Sequence, residues 1–203
     1  MHQSTYQTLL TLCILLISFV SSSSKAHLLE VFAKASASKN YTDHDRYTIS
    51  VSGSTGLAIL LIPQVRIEGR YTMVSSLQNR LDVGSPSVIA TLNDIKTETN
   101  IYSVGLDIDI LSEKYSIQPF VFLGAGYVES NRSYYVTPLG SSSASLINEP
   151  ITQGISANVG AGIRIRIAKT IALEIEAYGY GLDPQNPNPL INLYGNAGIR
   201  IFM

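Results

Sequence analysis

From Asn192 to Met203 (NLYGNAGIRIFM) apolar and polar side chains alternate to the end of the chain. Leu193, Ala197, Ile199, Ile201 and Met203 fall on one face; Asn192, Tyr194, Asn196, Gly198 and Arg200 fall on the other. A repeat of two is the signature of a strand, whose side chains point to opposite faces in turn. The same rhythm recurs upstream. Ile163, Ile165 and Ile167 oppose Arg164 and Arg166; Leu173 and Ile175 oppose Glu174 and Glu176. Val104, Leu106, Ile108 and Ile110 oppose Gly105, Asp107 and Asp109, and Val65, Ile67, Tyr71 and Met73 oppose Arg66, Glu68 and Arg70. Helical spacing fits these segments badly.

The pattern predicts eight strands, at 28–37, 47–61, 65–75, 97–111, 115–129, 154–167, 171–182 and 190–203. Their connections alternate in length. Residues 62–64, 112–114 and 168–170 make tight turns, while 38–46, 76–96, 130–153 and 183–189 are long, polar and rich in Ser, Asn, Gly and Pro. A soluble protein seldom finishes on an apolar strand, because an exposed edge invites aggregation. A strand whose oily face meets lipid and whose edge closes against the first strand has no such difficulty. Short turns on one side and long loops on the other, with an even strand count, describe an all-β, eight-stranded, antiparallel up-and-down transmembrane β-barrel. The fold alternative is a soluble lipocalin-like barrel.

With the apolar faces outward, the interior receives Glu30, Lys34, Arg66, Glu68, Arg70, Asp107, Asp109, Arg164, Arg166, Glu174 and Glu176. Eight strands enclose a bore just wide enough for side chains to fill. Charges held there must be paired or cost several kcal/mol each. A turn at 168–170 sets Arg164 opposite Glu174, and the balance of signs points to an ion-pair network filling the lumen. An open, ion-conducting or ligand-binding lumen is the alternative. Gly105, Gly124, Gly126, Gly160, Gly162 and Gly198 thin the wall where strands bend or cross closely.

The 203 residues suffice for one domain, and they open on a removable leader. LLTLCILLISFV, residues 9–20, is apolar but too short for a stable membrane helix. Ser24-Lys25-Ala26 follows with small residues at the −3 and −1 positions of a cleavage site. The expected division is a signal peptide at 1–26 and a barrel domain at 27–203. Cys13, the only cysteine, leaves with the leader, which excludes disulfide and cysteine chemistry from the rest. A net charge of −1 gives no basic excess for nucleic acid. A mean hydropathy of +0.18 is high for so polar a vocabulary, and a barrel explains it.

Tyr47, Tyr71, Tyr102 and Tyr127 fall where strands would meet the membrane–water boundary, which favours amphipathic rings. In the 130–153 loop Arg132, Tyr134 and Tyr135 form an amphipathic cluster suited to contacting a partner, unless 134–137 simply prolongs the fifth strand. Catalytic chemistry is thin. After cleavage only His27, which begins the mature chain, and His44 remain; His44, between Asp43 and Asp45, sits near Ser36, Ser38 and Ser50, and the serine-hydrolase elbow G-x-S-x-G is missing. No cofactor, metal site or catalytic residue is expected.

The span 28–203 resembles the small eight-stranded outer-membrane barrels of Gram-negative bacteria, of the OmpX and OmpA-barrel type. Asn196-x-Gly198-x-x-Ile201-x-Met203 is similar to the terminal signal by which such barrels are recognised for insertion. That family usually ends in Phe, whereas here Phe202 is penultimate. The resemblance implies a bacterial outer-membrane location, contact with membrane lipid and lipopolysaccharide, and handling by the barrel-assembly machinery. It further implies a monomer with a non-enzymatic structural or surface-interaction role, in adhesion, host contact or envelope integrity, carried by the outer loops. A narrow porin or small apolar-molecule transporter is the alternative, and a lipid-modifying enzyme a third.

Overall fold

The computed structural model describes residues 28–43, 46–85, 88–112, 114–137, 145–182 and 191–203. The expected signal segment and His44 lie outside the described residues. Eight strands run in chain order: β1 (Leu29–Asp43), β2 (Arg46–Ile62), β3 (Val65–Ser85), β4 (Val88–Asp109), β5 (Ile117–Thr137), β6 (Ser145–Ala168), β7 (Ile171–Leu182) and β8 (Ile191–Phe202). Each pairs antiparallel with its sequence neighbours, and β8 returns to β1, closing the barrel. Every strand of the sequence-based reading is found, in the expected topology.

Alternation along the strands separates the two environments. Ile163 is 45% exposed on the outer wall, while its neighbour Arg164 is 0% exposed in the lumen. The outer wall carries Ile59, Leu61, Ile67, Val104, Leu106, Leu123, Ile175, Ile199 and Ile201, all exposed. No water-soluble sheet presents so continuous an oily belt; hydrocarbon is the solvent that stabilises it. One end is closed by short connections. Between β2 and β3 Pro63 sets the turn and Gln64 takes a φ of 79°. The connection from β4 to β5 spans 110–116, wider than the 112–114 turn expected, with Tyr115 N donating to Ser112 O at 3.2 Å.

The outer end departs from expectation. Three of the four stretches read as long loops are strand nearly to their tips: β1 runs on to Asp43, β3 and β4 continue to Ser85 and Val88, and β5 and β6 to Thr137 and Ser145. Above the membrane both faces of a strand meet water, so the side chains need not alternate and the period-two signal fades. The backbone still pairs, residue by residue, from Leu77↔Lys96 up to Ser85↔Val88. Register shifts between Asn93 and Lys96, and between Ser130 and Asn131, interrupt the raised sheet above the belt. Such bulges bend and twist a ladder locally.

An outward charge at mid-belt tests the orientation. Ile163→Arg should cost about 2–4 kcal/mol of unfolding free energy in lipid vesicles, the range for a cation at the bilayer midplane. Glu98→Arg, on the outer wall beyond the belt, should change it by less than about 1 kcal/mol. Urea titration followed by heat-modifiable gel migration would measure both; equal effects would reject the membrane assignment.

Candidate functional site: a charged plug below, a raised wall above

The lumen is filled in layers. In its lower half, Arg200 of β8 lies at the centre. Its Nε donates to Glu174 Oε1 at 2.5 Å, Nη1 to Glu30 Oε2 at 2.9 Å and Nη2 to Glu68 Oε2 at 2.7 Å. Asp107 Oδ2 lies 3.0 Å from the same Nη2. One guanidinium thus ties β8 to β7, β1, β3 and β4. Arg164 donates to Glu174 Oε1 at 2.6 Å and to Asp107 Oδ2 at 2.7 Å, and its Nη1 pairs with Asp109. Arg66 spans Glu30 and Asp109 at 2.6 and 2.7 Å. Arg70 bridges Glu68 and Glu176 at 2.6 and 2.9 Å, and Lys34 reaches Glu174 and Glu176, both at 2.8 Å. All eleven of these side chains are buried. Removed from water, such groups persist because each of these four guanidiniums meets at least two carboxylates, Arg70 gripping Glu176 with two parallel bonds at 3.0 and 2.9 Å.

Aromatic rings interleave with the charges. Arg70 Cζ sits 4.5 Å from the Phe122 ring centroid and 4.6 Å from that of Tyr178; Arg164 covers Phe120 at 4.7 Å and Arg200 covers Phe32 at 4.9 Å. A cation over a desolvated ring gains on the order of 2 kcal/mol. Room for this comes from inward glycines. A Cβ at Gly162 would lie 2.9 Å from Phe120 Cε1, and one at Gly198 would lie 2.5 Å from Lys34 Cα. Gly198 therefore has a packing reason to lack a side chain.

Arg166 differs from expectation. It occupies an inward position but is only half-buried, one step below the network. Its Cζ rests 5.0 Å from the Phe202 ring, and Ala172 is its cross-strand neighbour. Among the described residues no carboxylate pairs with it, and its Nε has no hydrogen-bond partner. Its place in the network belongs instead to Arg200, omitted from the interior roll although it shares a face with Asn196 and Gly198. Alternation against Ile199 and Ile201 was the signal for it.

In the terminal strand Ile201 and Met203 point outward, Met203 at 54% exposure, and Asn196, Gly198, Arg200 and Phe202 point inward. Met203, not Phe202, is the last outward apolar residue. Tyr71, Tyr102 and Tyr127 are direct cross-strand neighbours on the outer wall, with Tyr71 and Tyr102 rings 5.2 Å apart, and Tyr71 Oη donates to Asn100 Oδ1 at 2.8 Å. They mark the upper rim of the belt. Tyr47 stands under Lys39 Nζ, 4.6 Å from its ring centroid.

The upper lumen is lined differently. Neutral hydroxyls pair between neighbouring strands along its inner wall: Ser54 with Thr72 at 2.9 Å, Ser36 with Ser52 at 2.7 Å, and Thr99 with Ser130 at 2.9 Å. Beside them Val74, Ile101, Phe122, Val128, Tyr178 and Tyr180 form an apolar cluster that the sequence reading did not identify.

Arg132, Tyr134 and Tyr135 do not lie in a loop. They extend β5 above the rim, paired with Glu149, Ile147 and Leu146 of β6. Arg132 Nη1 lies 3.8 Å from Glu149 Oε1, and Tyr134 Oη donates to Glu149 Oε2 at 3.5 Å. Both long contacts are exposed enough to contribute little.

A closed antiparallel ring of eight strands, oily outside and filled with ion pairs inside, is a small transmembrane β-barrel of the outer-membrane type. No family model and no curated protein matches the chain. Among solved structures it is similar to Neisserial surface protein A, at 16% identity and a TM-score of 0.54, over 86% of this chain and 97% of that one. The N-terminal barrel of Pseudomonas aeruginosa OprF aligns at 18% identity and a TM-score of 0.42, over 88% of this chain and 98% of that one. The likeness to the first is a likeness of fold.

Removing the central cation should be severe. Arg200→Met leaves Glu30, Glu68, Asp107 and Glu174 without their shared partner and should cost about 3–5 kcal/mol. Arg166→Met breaks no ion pair and should change stability by less than about 1 kcal/mol. Urea unfolding of the two reconstituted variants gives the comparison; equal losses would contradict the hub assigned to Arg200.

Proposed function

We propose that this chain is a non-enzymatic, monomeric bacterial outer-membrane protein that acts by surface interaction, through the sheet raised above its barrel. The observation that carries this reading is the continuation of β3–β6 as one four-stranded wall. Glu98, Asn100 and Glu129 carry polar groups on its outer side where the oily belt ends. From there to Ser145, β6 alone adds about ten residues, or roughly 30 Å of strand. Among the described residues, the β2–β3 ladder ends at Thr48↔Gln78, with Tyr47 N still donating to Asn79 Oδ1 at 3.0 Å, and the β6–β7 ladder ends at Ser156↔Leu182. The wall therefore offers two strand edges and exposed apolar residues, including Tyr135, Leu146, Ile147 and Ile151, outside the lipid. Exposed apolar edges of this kind are where partners dock. Arg132, Tyr134 and Tyr135 take the recognition role as part of this wall.

The ion-pair network gives the wall a rigid base and closes the bore, against the narrow-porin reading. In this proposal lipid and lipopolysaccharide surround the belt, the leader at 1–26 directs export, and Asn196, Gly198, Ile201 and Met203 present the insertion signal to the assembly machinery.

Two measurements test it. Replacing residues 132–149 with a two-residue turn should abolish adhesion of expressing cells to cultured epithelial cells, while heat-modifiable migration persists. Planar bilayers holding the intact barrel should show no conductance steps. Undiminished adhesion, or regular steps that change in Glu174→Gln, would overturn the proposal.

A further inference from the structure

A cation stands at the short-turn mouth of the barrel with no anion to meet it. Arg166 points into the lumen one step below the plug, its Cζ 5.0 Å from the Phe202 ring. Its backbone is fixed on both sides. Arg166 N donates to Ser116 O at 2.8 Å, and across the β6–β7 turn Phe202 N donates to Thr170 O at 2.9 Å. The guanidinium is not. Its Nε is enclosed and bonds to nothing, and among the described residues no protein oxygen accepts from its other nitrogens. The plug above carries six carboxylates against five cations, an excess that favours a positive charge at this level. Yet each of those carboxylates is already engaged by Lys34 or another arginine. Arg166 therefore keeps its donors for something that is not part of the barrel.

Two more cations stand on the same flank. Pairing of β5 with β6 sets the β4–β5 and β6–β7 turns side by side. The first carries Lys114, two residues before Ser116; the second carries Lys169, three residues after Arg166, and both lysines are exposed. Among the described residues of 110–117 and 165–172 there is no acidic side chain; Glu113 lies outside the described residues. Cations elsewhere come with a carboxylate even on the exposed wall, where Lys96 meets Glu98 at 2.5 Å and Arg132 lies 3.8 Å from Glu149. Among the described residues Lys114, Arg166 and Lys169 have no such match. Three cations gathered without an acid, one of them half-buried and backed by a ring, have the chemistry of an oxyanion site. A guanidinium offers parallel N–H groups in the fork that a phosphate matches, and ammonium groups add point charges around it.

We propose that the short-turn mouth of the barrel binds a phosphate group. The exposed edge of the Arg166 guanidinium grips its oxygens, with Phe202 behind, and Lys114 and Lys169 balance the remaining charge from the two turns. The phosphate is supplied from solution or as the headgroup of a lipid in the adjacent leaflet. Both sources reach the site, because Ile117 and Ile167, exposed on the outer wall beside these turns, set it at the lower edge of the belt. The plug above closes the way further in, so the phosphate binds and does not pass. The site lies at the opposite end from the raised wall and makes no use of it.

The test uses the folded barrel in dodecyl maltoside micelles, which hold no phosphate of their own. Inorganic phosphate is titrated at constant ionic strength, and its binding is followed by the relaxation of its phosphorus NMR signal. The Nε–H resonance of Arg166, assigned by its loss in Arg166→Lys, is followed alongside. Phosphate should shift that resonance to saturation, and chloride should leave it in place. Arg166→Met should abolish binding, and Arg166→Lys, which keeps the charge without the fork, should weaken it. Lys114→Gln with Lys169→Gln should weaken it about tenfold. A second arm adds dioctanoyl phosphatidic acid to the same micelles in place of the free anion. Saturation by the lipid at ratios where free phosphate gives none assigns the site to the leaflet, and the reverse assigns it to solution; either supports a phosphate site. A response that follows ionic strength alone would overturn the proposal. So would binding unchanged in Arg166→Met and in the double lysine variant while both keep their folded migration on the gel.

Discussion

Hydrocarbon offers no hydrogen bonds, and that constraint organises everything else in this molecule. Within the belt every backbone amide and carbonyl must find a partner in the protein, which an open sheet cannot supply at its edges. Eight antiparallel strands closed on themselves meet the requirement almost everywhere, with β8 returning to β1. Above Ala35 and Ala197, among the described residues, the β1–β8 ladder ends while both strands continue on their other neighbours.

Closing eight strands creates a second constraint, because the space inside is too narrow to hold bulk water yet must be lined by the polar half of every strand. The solution differs along the axis. In the lower half, forked guanidiniums meet carboxylates from strands far apart in sequence; Arg200 and Glu30 lie at opposite ends of the described chain and are 2.9 Å apart. These pairs act across the bore as well as along the wall, resisting the shear and flattening that a ring held only by its ladders would allow. In the upper half, hydroxyls pair with hydroxyls and the tyrosines gather into an apolar cluster, a softer filling that carries no net charge.

Outside, the same strands serve two solvents. In the belt they present Ile, Leu and Val to lipid; past Tyr71, Tyr102 and Tyr127 they rise into water with no change of backbone structure. Among the described residues β3–β6 rise furthest, while β7 and β8 are described over 12 residues each.

Residues 154–203 illustrate what was legible beforehand. Wherever a strand lies between lipid and lumen, its two faces meet opposite environments, so alternation is strict and strand, orientation and interior residues can be read directly. Arg164 opposite Glu174 follows from a three-residue turn alone. Beyond the rim both faces are wet, alternation disappears, and 76–96 and 130–153 looked like loops although they are largely strand. The sequence by itself determined the eight-stranded membrane barrel and the inward place of every charge in the network but Arg200, because burial and lipid contact are written residue by residue. Only the tertiary structure decided that Arg200 is the hub, that Arg166 stands outside the network, and where the β1–β8 ladder ends. Each of these depends on which strands the closed ring brings together across the bore, a distance in space that spacing along the chain does not encode.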